Sequence, residues 1–216
     1  MNPLEEHLAP LPLIAILRGV RPDEALAIGR ALVDAGFRAI EVPLNSPEPL
    51  ESIAALTETF GQRALIGAGT VLDPADAVRI AEAGGRLVVM PHGDAAIVRA
   101  AKELGLLCVP GVATPTEAFG ALAAGADALK LFPAEALPPP VVKAWRAVLP
   151  MEVWLLPVGG ITPERMAQYL AAGANGFGLG SALYQPGLAA AEVARRASTF
   201  AAAFGEARKG RASRSE

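Results

Sequence analysis

The chain has four lysines, at positions 102, 130, 143 and 209, and only Lys130 lies in an apolar β-type run, DALKLFP. Alternation along a strand puts Leu129 and Leu131 on one face and Ala128, Lys130 and Phe132 on the other. If the sheet closes, the second face is the interior. An ammonium there is costly to desolvate, so burial lowers its pKa, and the neutral amine is the form that attacks a carbonyl. In AIEVPLNSP the same rule sets Glu41, Pro43 and Asn45 opposite Ile40, Val42 and Leu44. A carboxylate and an amine enclosed together make either a structural salt bridge or the acid/base and nucleophile of a Schiff-base enzyme. Spacing supports both.

Two glycine pairs bear on the ligand. PVGGITP, with Gly159 and Gly160, and GLGS, with Gly180 and Ser181, follow the last two strand-like runs. Loops in those places of a (β/α)8 barrel recurrently hold phosphate, because bare backbone N–H groups come close to the anion. Tight turns are the competing explanation for the same glycines. Arg18 ends LIAILRG, and Thr70 follows GAG. Both suit a substrate carboxylate, although a strand-end arginine also serves as a rim ion pair. Pro91 and Phe132 would wall the methyl end of a keto acid. The two histidines, His7 and His92, are too few and too scattered for a clustered nitrogen-ligand metal site, so the chemistry is expected to need neither metal nor cofactor. No Walker loop and no GxGxxG opening a helix is present.

These residues need elements to hold them. A helix-like segment ending in Gly, followed by a short apolar run, recurs in VDAGFRAIEVPL, AEAGGRLVVMP, KELGLLCVPG, AAGADALKLFP and AAGANGFGLG. Glycine suits the left-handed residue that turns a helix end toward a strand. Eight strands are expected, at Leu13–Leu17, Ala39–Leu44, Ala64–Ala68, Leu87–Met90, Leu106–Val109, Ala128–Phe132, Val153–Val158 and Gly176–Leu179. Helix starts are expected at Pro22-Asp23, Ser46-Pro47, Asp73-Pro74, Asp94, Thr114-Pro115 and Thr162-Pro163. Eight alternating units in 216 residues give an α/β fold, a (β/α)8 TIM barrel near the short end of its range, with a short helix over 1–9 before it. A doubly wound open sheet is the alternative, but it normally has fewer strands and a glycine-rich first turn. One domain spanning 1–205 is expected, with 206–216 a polar, basic, frayed tail.

Composition narrows the setting. Hydrophobic residues are 52% and charged residues 19%, which excludes a disordered chain. A net charge of −3 gives no basic field for nucleic acid or an anionic membrane. No apolar run has the length of a membrane span, and the first residues lack a signal peptide's pattern. Cys108, the one cysteine, sits in an apolar run as a small core residue. With no intramolecular disulfide possible, a cytoplasmic setting is expected.

Taken in order, LPLIAILRG, EVPLNSP, IGAGTVL, GVATPTEA, ALKLFPAE, PVGGITPE and GLGSALY span nearly the whole chain. Together they resemble the bacterial 2-keto-3-deoxy-6-phosphosugar-acid aldolases, which are class I aldolases. The resemblance implies a homotrimeric barrel that cleaves a small phosphorylated 2-keto acid to pyruvate and glyceraldehyde 3-phosphate. It implies Lys130 as the Schiff-base lysine and Glu41 as the acid/base. It places Thr70 at the pyruvate carboxylate, Pro91 and Phe132 at the pocket wall, and Gly159, Gly160, Gly180 and Ser181 at the phosphate. The branch acting on the gluconate epimer carries arginine four residues after the glutamate, where this chain has Asn45. Arg18 on the neighbouring strand would replace that charge. The pairing of ILRG with EVPLNSP resembles the branch acting on the galactonate epimer, with the gluconate epimer as the alternative. The rivals are a phosphate-binding barrel isomerase or synthase, in which Lys130 only neutralises charge, and a sugar-phosphate binding protein with Glu41–Lys130 as a structural pair.

Overall fold

Strand residues point alternately into two separate apolar layers. Leu13, Ala15, Ile40, Val42, Ile66, Ala68, Leu129 and Leu131 join the larger cluster, packed against the helices. Ile14, Ala39, Leu65, Leu87, Leu107, Ala128, Trp154 and Leu156 form a second, enclosed one. Two apolar layers with one sheet between them, curled on itself, make a barrel with a filled interior.

The computed structural model describes residues 3–9 and 11–212. Its strands are β1 (Leu13–Ile16), β2 (Ala39–Pro43), β3 (Leu65–Gly69), β4 (Leu87–Val89), β5 (Leu107–Val109), β6 (Gly111–Val112), β7 (Leu129–Leu131), β8 (Leu155–Pro157) and β9 (Phe177–Leu179). They pair in parallel in the orders β5-β4-β3-β2-β1-β9 and β6-β7-β8, and a bridge from Val158 to Gly178 joins the two sheets. β5 and β6 flank Pro110 and fill one position of the ring, so eight positions close a (β/α)8 barrel. The expected single run Leu106–Val109 is thus extended and divided. Proline has no N–H for the ladder, and past it the chain changes partner from β4 to β7. Most other strands are shorter at their ends than expected.

The helices are α1 (Pro3–Leu8), α2 (Pro22–Asp34), α3 (Pro49–Phe60), α4 (Asp76–Glu82), α5 (Ala95–Glu103), α6 (Pro115–Ala123), α7 (Pro139–Arg146), α8 (Pro163–Ala171) and α9 (Ala190–Ala212). Four begin where expected. Asp94 accepts from Ala96 and Ile97 N–H, and Thr114 and Glu117 form a reciprocal cap on α6. Two begin later. α3 starts at Pro49 rather than at Ser46-Pro47, because the side chains of Asn45 and Ser46 are engaged by the turn after β1. α4 starts at Asp76, after a turn in which Asp73 accepts from Ala75 N–H. Gly36 (φ 100°) and Gly173 (φ 106°) turn the chain after α2 and α8 in the left-handed conformation expected of them.

Leu4 and Leu8 are fully buried one turn apart on α1 and belong to the enclosed cluster. They lie against the first residues of several strands and so close that end of the barrel. The expected tail needs correction, because α9 continues through 206 to Ala212, with residues 213–216 outside the described ones. Glu206, Ala207, Arg208 and Lys209 are strong helix formers, and Phe204 anchors the preceding turn in the core. Among the described residues no helix is long and apolar enough to cross a membrane.

Candidate active site

β7 carries Lys130 into the interior between Ala128 and Phe132. Its register pairs it with Gly111 on one side and Leu156 on the other. The side chain is 6% exposed, and its Nζ lies 4.5 Å from the centre of the Phe132 ring. Burial lowers the pKa of the ammonium, opposed by the Glu41 charge and reinforced by that of Arg18. Glu41, on β2, is 1% exposed. Burial raises its carboxyl to about 7, against the pull of the Lys130 and Arg18 charges. Among the described residues Glu41 and Lys130 are not in ion-pair contact, and no partner bonds Glu41 Oε2. The two charges therefore act on each other at a distance, and desolvation favours the neutral form of each.

Three residues singled out from the sequence meet above this pair. Arg18 Nη1 donates to Asn45 Oδ1 at 2.7 Å, and its Nη2 donates to Thr70 Oγ1 at 3.2 Å. A further tie was not foreseen: Gly19 N–H donates to Ser46 Oγ at 2.9 Å, locking the turn that carries Arg18. Ser46 had been visible only as a helix-start residue. Thr70 has φ 55°, a left-handed conformation that a β-branched side chain rarely adopts. Strain of this kind persists where the surroundings over-determine it, often beside a ligand.

A cavity of about 540 Å³ opens at the C-terminal ends of the strands. Lys130 and Phe132 lie in its wall with Arg18, and Gly159, Gly160, Gly180 and Ser181 line it as well. The left-handed Gly159 (φ 110°) and Gly160 (φ 59°) form the loop before α8, and Arg165 Nη1 holds the Gly160 carbonyl at 2.7 Å. Tyr184, Gln185 and Pro186 also line the cavity and were not singled out, although Tyr184 ends the GLGSALY motif. Glu41, Asn45, Thr70 and Pro91 are not in the lining, and the Pro91 carbonyl instead packs against the bare Cα of Gly111. Cys108 is buried, its thiol pushed up to about 12 mainly by desolvation, as befits a core residue. Among the described residues no three His, Cys, Asp or Glu side chains gather as metal ligands.

An amine and a carboxylate, both displaced toward neutrality beneath an arginine and a glycine-rich mouth, can form and work an imine on a phosphorylated keto acid. Known proteins share this framework. The chain is 50% identical over 197 residues, 91% of its own length and 96% of the relative's, to the 2-dehydro-3-deoxy-6-phosphogalactonate aldolase of Escherichia coli K12. It is 49% identical over 193 residues, 89% of its length and 91% of the relative's, to a probable enzyme of the same name from Rhizobium meliloti. A solved structure described as native KDPGal superposes with a TM-score of 0.91 at 50% identity, covering 92% of this chain and 97% of that one. The model of the KDPG and KHG aldolases matches residues 4–199, and the chain belongs to that family.

Proposed function

We propose that this enzyme cleaves 2-dehydro-3-deoxy-6-phosphogalactonate to pyruvate and glyceraldehyde 3-phosphate through a Schiff base on Lys130. The observation that carries the assignment of roles is the burial of Lys130 and Glu41 together without an ion pair between them. The substrate phosphate lies in the mouth formed by Gly159, Gly160, Gly180 and Ser181. The keto-acid carboxylate faces Arg18 and Thr70, and Phe132 walls the chain beside the imine. Pro91, unlike Phe132, stands outside the cavity and takes no part in walling it.

Neutral Lys130 adds to the C2 ketone, and Glu41 delivers the proton with which water departs. The protonated imine withdraws electrons. The Glu41 carboxylate takes the C4 hydroxyl proton, the C3–C4 bond breaks, and its electron pair moves toward the imine to give an enamine. Glyceraldehyde 3-phosphate leaves. Glu41, now protonated, protonates the methylene carbon, and water hydrolyses the pyruvyl imine. One carboxyl near neutrality serves each transfer because every step leaves it in the form the next one requires.

The galactonate epimer is favoured by Asn45, which occupies the position of the gluconate branch's arginine and binds Arg18 instead. The assembly we assign is a homotrimer, and the setting the cytoplasm. Both follow from the family likeness and the sequence composition. Sedimentation of the purified enzyme tests the trimer. The decisive experiment is pyruvate release from the galactonate and gluconate epimers side by side, with borohydride trapping on pyruvate. Faster cleavage of the galactonate epimer supports the proposal. Preference for the gluconate epimer overturns the substrate, and the absence of a trapped adduct overturns the mechanism.

A further inference from the structure

The carboxylate of Glu41 fills space that any side chain at position 69 would need. β2 and β3 are adjacent, with Glu41 opposite Gly67 and Pro43 opposite Gly69. Strand side chains lean along the strand, and Glu41 leans toward its C-terminal end. A Cβ on Gly69 would interpenetrate the carboxylate, meeting Oε2 first and then Cδ and Oε1. Backbone conformation does not require glycine there, since Gly69 is not among the residues with positive φ. Gly69 is needed for its volume alone. Because Oε2 has no hydrogen-bond partner among the described residues, enclosure rather than a donor decides where that oxygen stands.

We propose that Gly69 is a positioning residue for the acid/base: its missing side chain is the recess that seats the Glu41 carboxylate where the Lys130 charge still acts on it. The proposal rests on the reading of Glu41 as the acid/base. Gly69→Ala leaves the backbone unstrained but pushes the carboxylate out of its seat. Glu41→Asp, one methylene shorter, withdraws the carboxylate from the recess, so the same methyl then meets less resistance.

The test compares wild type, Gly69→Ala, Glu41→Asp and the double variant in two rates. One is pyruvate release from the galactonate substrate. The other is exchange of pyruvate methyl protons with deuterium, followed by NMR, which requires the enamine but no aldehyde. Gly69→Ala is expected to slow both at least about tenfold, part of the 10²- to 10⁴-fold that positioned acid–base catalysis is worth. Borohydride should still trap pyruvate on that variant. In the Glu41→Asp background the same methyl should cost less than about threefold, because the group it would displace has already moved. An equal cost in both backgrounds, or none in wild type, overturns the proposal. If Gly69→Ala does not fold, folding of the double variant supports the proposal and its failure to fold overturns it. Glu41→Gln isolates the underlying reading: full turnover there removes Glu41 from the chemistry and the proposal with it.

Discussion

The Asn45 side-chain oxygen holds the Arg18 guanidinium at 2.7 Å across the mouth of the barrel. A hydrogen bond to a charged group is worth about 1.5–3 kcal/mol, and about 1.4 kcal/mol is a factor of ten. Asn45→Ala should therefore lower kcat/KM for the galactonate substrate by about ten- to a hundredfold while borohydride trapping of pyruvate persists. Arg18→Ala should cost more, mostly in KM, because it removes the charge itself. Steady-state kinetics on both variants decides the matter. An unchanged KM in Arg18→Ala would remove Arg18 from substrate binding.

Lys130 has no substitute in the interior. Lys130→Ala, and equally Lys130→Arg, whose guanidinium cannot shed its proton, should release no pyruvate and yield no borohydride adduct by mass spectrometry. Near-normal turnover in either would sink the assignment.

Glu41 should leave a mark on stability as well as on rate. Its carboxyl rises from 4.5 to about 7 on folding, so the folded chain holds this proton more tightly than the unfolded one. Below about pH 4.5 the group is protonated in both states and nothing is lost. Between there and about 7 the unfolded chain gives up its proton while the folded chain keeps it, and stability falls. The displacement corresponds to about 3 kcal/mol. Glu41→Gln should be the more stable protein at pH 8, by up to about that amount less what Lys130 loses with its counter-charge. The two should be indistinguishable at pH 4.5. Urea unfolding at the two pH values measures it, and a variant less stable than wild type at pH 8 contradicts it. On the rate side, wild-type turnover should change with pH near 7 and lose that inflection in Glu41→Gln.

Thr70 is held at φ 55°. Such strain costs about 1–3 kcal/mol in a β-branched residue, whereas asparagine visits this region readily. Thr70→Asn should raise stability by about 1 kcal/mol and weaken catalysis through the altered contact with Arg18. A drop in Tm would show that Thr70 is not strained at a cost to the fold.

The barrel and its buried pair were legible because both depend on short-range rules. Period-two alternation put Lys130 and Glu41 inside, and Gly-ended helices placed the strands. What stayed hidden depends on contacts between segments. The break at Pro110 follows from a change of strand partner, and the late start of α3 from the turn carrying Arg18 taking Ser46. The recess at Gly69 is a property of two strands in register, not of either alone. The continuation of α9 past 206 stayed hidden because a polar, basic composition suggests a frayed end, although the same residues favour a helix.

Leu4 and Leu8 stopper one end of the barrel, and the cavity that Lys130 lines opens at the other. In the proposed seating, the part of the substrate bound to Lys130 goes in first and lies deepest, with the phosphorylated half above it. Departure must then follow the order of a stack: the aldehyde leaves before pyruvate can, and free pyruvate occupies the bottom of an otherwise vacant well. On that seating, the expected order in the synthetic direction is pyruvate first and aldehyde second, with excess aldehyde inhibiting.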